Sequence, residues 1–267
     1  MELGVTVRNM GPQSSTATLS ECARTAETLE FESLWITDHI AIPPDDAEGS
    51  GGRYLDPLTT LGFLAGMTNS IKLGSGVIII PYRPALPTAK QVATVQELSG
   101  ERLLLGVGIG WMDAEFKALG VDRHRRGAIT DETLEFLNRC FADEVVEANG
   151  QPFLFRPQPA KPPVYVGGAA PQALRRAAEL ADGWLPMGLE PEALAASMSD
   201  YLKLTVELGR PPGRVTLMRG LPLADPLRCK ELIHEYAELG VERLVCATRY
   251  DTTSEFASQM EALARIR

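Results

Sequence analysis

The sequence predicts a (β/α)₈ TIM barrel forming one domain over residues 1–267, and three observations predict it. Eight β-rich runs alternate strictly with eight amphipathic helices from end to end. Runs such as VIII (77–80) and LLLGV (103–107) need burial on both faces, as a parallel sheet covered by helices provides. The length of 267 residues is close to the roughly 250 typical of such barrels. A doubly wound sheet is the rival, but it usually stops at about five or six strands.

The elements follow in order. Leu3–Arg8 is the first strand, and Leu19, Cys22, Ala23, Ala26 and Leu29 mark one face of the next helix by their i, i+3, i+4, i+7 spacing. Ser33–Thr37 is the second strand and runs directly into Asp38 and His39. Ile42–Gly52 is acidic and rich in Pro and Gly, as a long mobile loop would be, and is expected to act as a lid. Pro57 opens a helix behind a cap at Asp56, since proline fits the first helical turn. Ile71–Ile80 is the third strand, with a helix over Thr88–Leu98. Arg102–Val107 is the fourth, followed by Gly108, Ile109, Gly110 and Trp111 and a helix over Asp131–Phe141. Asn149-Gly150 signals a hairpin turn. The remaining units are Val164–Val166 with Pro171–Leu180, Gly183–Pro186 with Pro191–Leu208, Val215–Leu221 with Pro226–Leu239, and Arg243–Ala247 with Ser254–Ala264.

Composition narrows the function classes. Twenty-six basic residues against 35 acidic ones give a net charge of −9, which argues against a nucleic-acid partner. Apolar runs reach only about ten residues, too short to span a bilayer, and Met1–Arg8 lacks the features of a signal peptide. Cys22, Cys140, Cys229 and Cys246 are scattered, as are three histidines, which removes the common zinc spacings and any disulfide framework. The chain reads as a reduced, cytoplasmic protein without a metal, acting on a small molecule.

In a (β/α)₈ barrel the chemistry sits at the carboxyl ends of the strands. Asp38 and His39 follow the second strand and suit an acid–base pair, or else a polar strand end satisfied by its neighbours. Gly74, Ser75 and Gly76 interrupt a buried strand, which implies a bulge, a ligand's close approach or tight interior packing. Gly167 and Gly168 precede a helix, so they read either as a phosphate site or as a tight turn requiring glycine. Arg123, Arg125 and Arg126 are either an anion-binding cluster or a solvated loop paired with acids.

Taken together, LWITDH (34–39), DPLTTLGFLAG (56–66), IKLGSGVIIIPYR (71–83) and AKQVATVQELSGERLLLGVGIGW (89–111) resemble the luciferase-like monooxygenase superfamily, in its branch dependent on coenzyme F420. RRGAITDETLEFL (125–137), PPVYVGG (162–168) and ALRRAAELADGWLP (173–186) continue the resemblance, which covers roughly residues 3–190. It implies a luciferase-like TIM barrel and an oxidoreductase that passes a hydride between the deazaflavin and a small organic substrate. The alternatives are a monooxygenase using reduced flavin mononucleotide (FMN) and oxygen, a barrel that binds flavin without catalysis, and a non-flavin hydrolase. The resemblance also implies a homodimer and a cis peptide bond at Gly76–Val77 in a Ser75–Val77 bulge backing the ring. It further implies a phosphate cradle at Gly167, Gly168 and Ala169, and Asp38 and His39 lining the ring, with Asp38 orienting His39 beside the reacting carbon. Gly108, Gly110 and Trp111 complete the expected cofactor pocket. Sugar-phosphate dehydrogenases of the family carry a glutamate acid where this chain has Trp111, which leaves Asp113 and Glu115 as the nearest carboxylates.

Overall fold

A computed structural model describes residues 1–266; Arg267, included in the one-domain reading, lies outside the described residues. Eight parallel strand positions close into a barrel. The strands are β1 (Glu2–Thr6), β2 (Ser33–Ile36), a split third position β3 (Lys72–Ser75) and β4 (Ile78–Ile79), and β5 (Leu103–Gly108). Outside the barrel stands an antiparallel hairpin of β6 (Val145–Ala148) and β7 (Gln151–Leu154). The circuit continues with β8 (Val164–Gly167), β9 (Gly183–Leu185), β10 (Arg214–Arg219) and β11 (Arg243–Cys246). β11 pairs with β1 and β3 pairs with β5, so the sheet has no free edge.

The helices α1 (Thr16–Thr28), α2 (Pro57–Met67), α3 (Ala85–Leu98), α5 (Arg126–Ala142), α6 (Gln172–Leu180), α7 (Pro191–Glu207), α8 (Pro226–Glu238) and α9 (Thr253–Ile266) flank the strands, while α4 (Asp113–Leu119) lies in the connection after β5. Side-chain caps fix several starts: Ser15 accepts from the Thr18 N–H, Asp56 from Thr59 and Asp225 from Arg228. Every residue of β5 is buried, which is why its sequence shows a continuous apolar run rather than alternation. None of the described helices is long and apolar enough to cross a membrane.

Four sequence expectations change. The third strand is not continuous over 71–80: it breaks at the Gly76–Val77 peptide bond, which is cis as the family resemblance implied, and ends in a 3₁₀ turn at Ile80–Tyr82. The helix expected from Thr88 starts at Ala85, because Pro87 in its first turn lacks only an N–H that has no helical partner there. The helix placed at Asp131 begins at Arg126, and α4 is an additional helix that brings the described α-helices to nine.

The barrel interior is packed rather than hollow. Trp35, Leu104, Tyr165, Leu185, Met218 and Val245 form its apolar layer. Gly74 belongs to this packing: a Cβ there would fall 2.2 Å from the Trp35 ring, so tight packing explains it. Below that layer the buried Arg243 guanidinium meets Glu32 at 2.6 and 2.7 Å and Glu2 at 2.6 Å. Burial opposes ionisation of Glu32, but Arg243, with help from Lys72, holds its carboxyl down at about 2.

Candidate active site

A cavity of about 370 Å³ opens at the carboxyl ends of the strands. The strand order brings to it segments far apart in sequence: Asp38 and His39 after β2, Gly76 and Val77 between β3 and β4, Gly108 to Trp111 after β5, and Gly167 and Gly168 after β8. Met187, after β9, closes the remaining side. A larger depression of about 870 Å³ lies between the loops after β10 and β11 and α9, but it contains no histidine or cysteine. Its Glu255 carboxylate accepts the Asp251 N–H and its Gln259 amide donates to the Arg249 carbonyl. The smaller cavity holds a histidine, His39.

Val77 forms part of the cavity wall and stands between two glycines. A Cβ at Gly108 would lie 2.5 Å from its Cγ2 and one at Gly167 would lie 2.7 Å from its Cγ1, so both positions must stay bare. Gly168 has φ +121°, its carbonyl accepts the Trp184 indole N–H at 3.0 Å, and α6 begins four residues later without a side-chain cap. That end of the cavity therefore offers backbone N–H groups and a helix N-terminus, the elements that favour an anion.

His39 is held by Glu115. Its Nδ1 lies 2.8 Å from Glu115 Oε2, while Oε1 accepts the N–H groups of Ile40 (2.6 Å) and Ala41 (2.9 Å). Tyr82 donates its hydroxyl to Oε2 at 3.0 Å. The Glu115 side chain is completely buried; burial pushes its carboxyl up, but the two backbone donors and His39 outweigh it and keep the group below the usual range. An ionised Glu115 fixes the Nδ1–H tautomer and leaves Nε2 for the cavity. Tyr54 and Trp111 meet the imidazole edge-on, with ring centroids at 5.0 and 6.1 Å.

Asp38 does not orient His39, contrary to the sequence reading. Both its oxygens accept from Arg83, at 2.6 and 2.9 Å, and Oδ2 also accepts the Ile79 N–H at 2.8 Å. Arg83 continues to Asp56 at 3.0 Å. Asp38 thus ties the loop after β2 to the turn after β4, and Glu115 takes the orienting role. Glu115 is also no direct acid in the cavity, because it lies behind His39, and Asp113 is exposed and paired with Lys117 and Arg123.

Of the other expected residues, Gly76, Val77, Gly108, Gly110, Trp111, Gly167 and Gly168 all line the cavity. Ser75 does not: its hydroxyl donates to the Gly106 carbonyl inside the barrel wall. Ala169 also falls outside the lining, its carbonyl accepting the Ala173 N–H. In the basic cluster, Arg123 faces Asp113 and Arg125 faces Glu132, while Arg126 donates to the Arg123 carbonyl; this is the paired-loop alternative. The 42–52 loop is pinned where the Gly49 carbonyl accepts from Arg8. Sequence reading passed over Arg83 and Tyr54; the available signal was a basic residue within reach of the carboxyl rim of the third strand.

The model of the family described as luciferase-like monooxygenase matches residues 1–224. A 5,10-methylenetetrahydromethanopterin reductase of Methanolobus tindarius is 30% identical over 209 residues, which cover 76% of this chain and 60% of that protein. Among solved structures, an F420-dependent secondary alcohol dehydrogenase in complex with an F420–acetone adduct superposes with a TM-score of 0.80 at 14% identity, covering 100% of this chain and 99% of that one. The oxygenating constituent of 3,6-diketocamphane monooxygenase from Pseudomonas putida, in complex with FMN, also gives 0.80 at 14%, covering 99% and 97%.

Proposed function

The chain belongs to the luciferase-like monooxygenase family, and from that premise we propose that it is an oxidoreductase that binds coenzyme F420 and passes a hydride between it and a small organic substrate. The observation that carries this reading is the pair His39–Glu115, which turns one imidazole nitrogen toward a cavity with an anion-favouring backbone at its far end. The residues fit such a cofactor. Gly76 and Val77, kept clear by Gly108 and Gly167, would back a flat ring, and the backbone at Gly167 and Gly168 with the start of α6 would take a phosphate. When bound, the deazaflavin supplies the hydride donor or acceptor, and the protein supplies position and electrostatics. His39 Nε2 exchanges the proton of the substrate oxygen. Glu115 holds the imidazole and its tautomer, and the Asp38–Arg83 pair fixes the two loops on which His39 and Val77 stand.

The test is a fluorescence titration of the apoprotein with F420 and, in parallel, FMN. Micromolar or tighter binding of the deazaflavin alone is the expected result. Preference for FMN would move the reading to a monooxygenase using reduced flavin and oxygen. Binding of neither would overturn it.

A further inference from the structure

We infer that Tyr82 is a positioning residue of this site: its hydroxyl fills the last acceptor position of the Glu115 carboxylate and keeps the shared proton on Nδ1 of His39. The part His39 plays in turnover rests on the proposed reading; the hold on its proton does not. Tyr82 ends the 3₁₀ turn after β4 and is buried. Its hydroxyl lies 3.0 Å from Glu115 Oε2, the oxygen that also faces His39 Nδ1 at 2.8 Å. Phe116 of α4 meets the Tyr82 ring edge-on with centroids 5.0 Å apart, and Ile79, Leu119 and Val121 complete an apolar cluster around the pair. Burial and the Glu115 charge both push the Tyr82 hydroxyl up, so it stays protonated and donates to the carboxylate. The next residue, Arg83, grips Asp38 directly. Two consecutive residues of one turn thus hold the consecutive residues Asp38 and His39, the second through Glu115.

An ionised carboxylate offers about four acceptor positions. On Glu115 the N–H groups of Ile40 and Ala41 take those of Oε1, and His39 and Tyr82 take those of Oε2. With all of them filled the carboxylate is a weak base, and the proton between it and the imidazole stays on the imidazole. Two donors on one oxygen weaken each other, since each draws on charge that the other would use. Tyr82 therefore sets how strongly Glu115 pulls on the Nδ1 proton and, through the ring, how readily Nε2 accepts a proton from the cavity. A role in packing alone would need the ring and not its hydroxyl.

Two replacements that keep the ring test the hydroxyl. Tyr82→Phe removes the donor, and 3-fluorotyrosine incorporated at position 82 makes it a stronger one. The His39 Nδ1 proton is followed by ¹H–¹⁵N NMR in the full-length, cofactor-free protein. Its resonance is expected to move downfield in Tyr82→Phe, as the bond to Glu115 strengthens, and upfield with the fluorinated ring, as that bond weakens. Movement in the same direction in both, or in neither, overturns the inference, because the repacking of a ring has no reason to follow donor strength. A native circular dichroism spectrum is expected for both proteins. If Tyr82→Phe fails to fold, the fluorinated ring decides by itself: an upfield move supports the inference and an unmoved or downfield resonance overturns it. The cofactor titration is read separately. If neither F420 nor FMN binds, the oxidoreductase reading falls, while the two resonance shifts still decide whether Tyr82 holds the proton on His39.

Discussion

Glu115 and His39 lie 76 positions apart in the chain and meet at 2.8 Å, carboxylate Oε2 to imidazole Nδ1. The same carboxylate holds the backbone of Ile40 and Ala41, so one buried side chain sets the tautomer of the histidine and the path of the loop carrying it.

Replacing Glu115 should therefore act on His39 before it acts on the barrel. In Glu115→Ala the ¹⁵N spectrum of His39 should lose the pure Nδ1–H pattern, whereas Glu115→Gln should retain part of it by accepting through its amide oxygen. The Ala variant should also lose about 1–3 kcal/mol of stability, because buried N–H groups lose their acceptor. An unchanged His39 tautomer in the Ala variant would remove the positioning role.

His39→Ala is expected to lower turnover about 10²-fold or more and leave cofactor affinity within about threefold. Steady-state kinetics beside a cofactor titration separates these; equal loss in both would mean that His39 binds rather than reacts.

The Asp38–Arg83 pair is buried, and breaking it from one side should be worse than removing it. Arg83→Met alone should cost about 3–5 kcal/mol in urea denaturation because it strands the Asp38 carboxylate, and Asp38→Asn on top of it should restore part of the loss. Additive losses in this double-mutant cycle would show that the two side chains act independently.

At the bottom of the barrel, Glu32 is held down at about 2 by Arg243, against an unfolded value near 4.3. A folded value below the unfolded one contributes stability that is complete above about pH 5 and is lost as pH falls toward 2. The stability difference between the native chain and Glu32→Gln should accordingly be about 3 kcal/mol at neutral pH and shrink across that window. A difference independent of pH would show that the ion pair carries none of it.

Gly167→Val should weaken cofactor binding at least about tenfold while the circular dichroism spectrum stays native. A Cβ there would meet Val77 at 2.7 Å and push it into the cavity. Normal affinity in this variant would detach the Val77 wall from cofactor binding.

Most of the barrel was legible in the sequence because periodicity is a local property. The eight strands and their helices follow from apolar spacing, the start of α2 from Asp56-Pro57, and the hairpin from Asn149-Gly150, whose φ angles of +52° and +76° are those of the tight turn that this pair favours. The place of Asp38 and His39 was equally legible, since residues that follow a strand must stand at the carboxyl rim. Gly74 shows the limit of such reading: its spacing suggested a ligand's approach or tight packing alike, and only the Trp35 ring against it decides for packing.

The partners of the charged groups were not legible. Asp38 next to His39 reads as a pair, yet successive residues leaving a strand point apart, and each carboxylate goes to the donor that the closed barrel brings near it. For Asp38 that donor is Arg83, 45 positions on, and for His39 the acceptor is Glu115 on a helix of seven residues whose periodic signal is too short to read. The sequence by itself determined which residues reach the rim; the closure of β5 against β3 and β8 decided which of them touch, because hydrogen bonds form between neighbours in space.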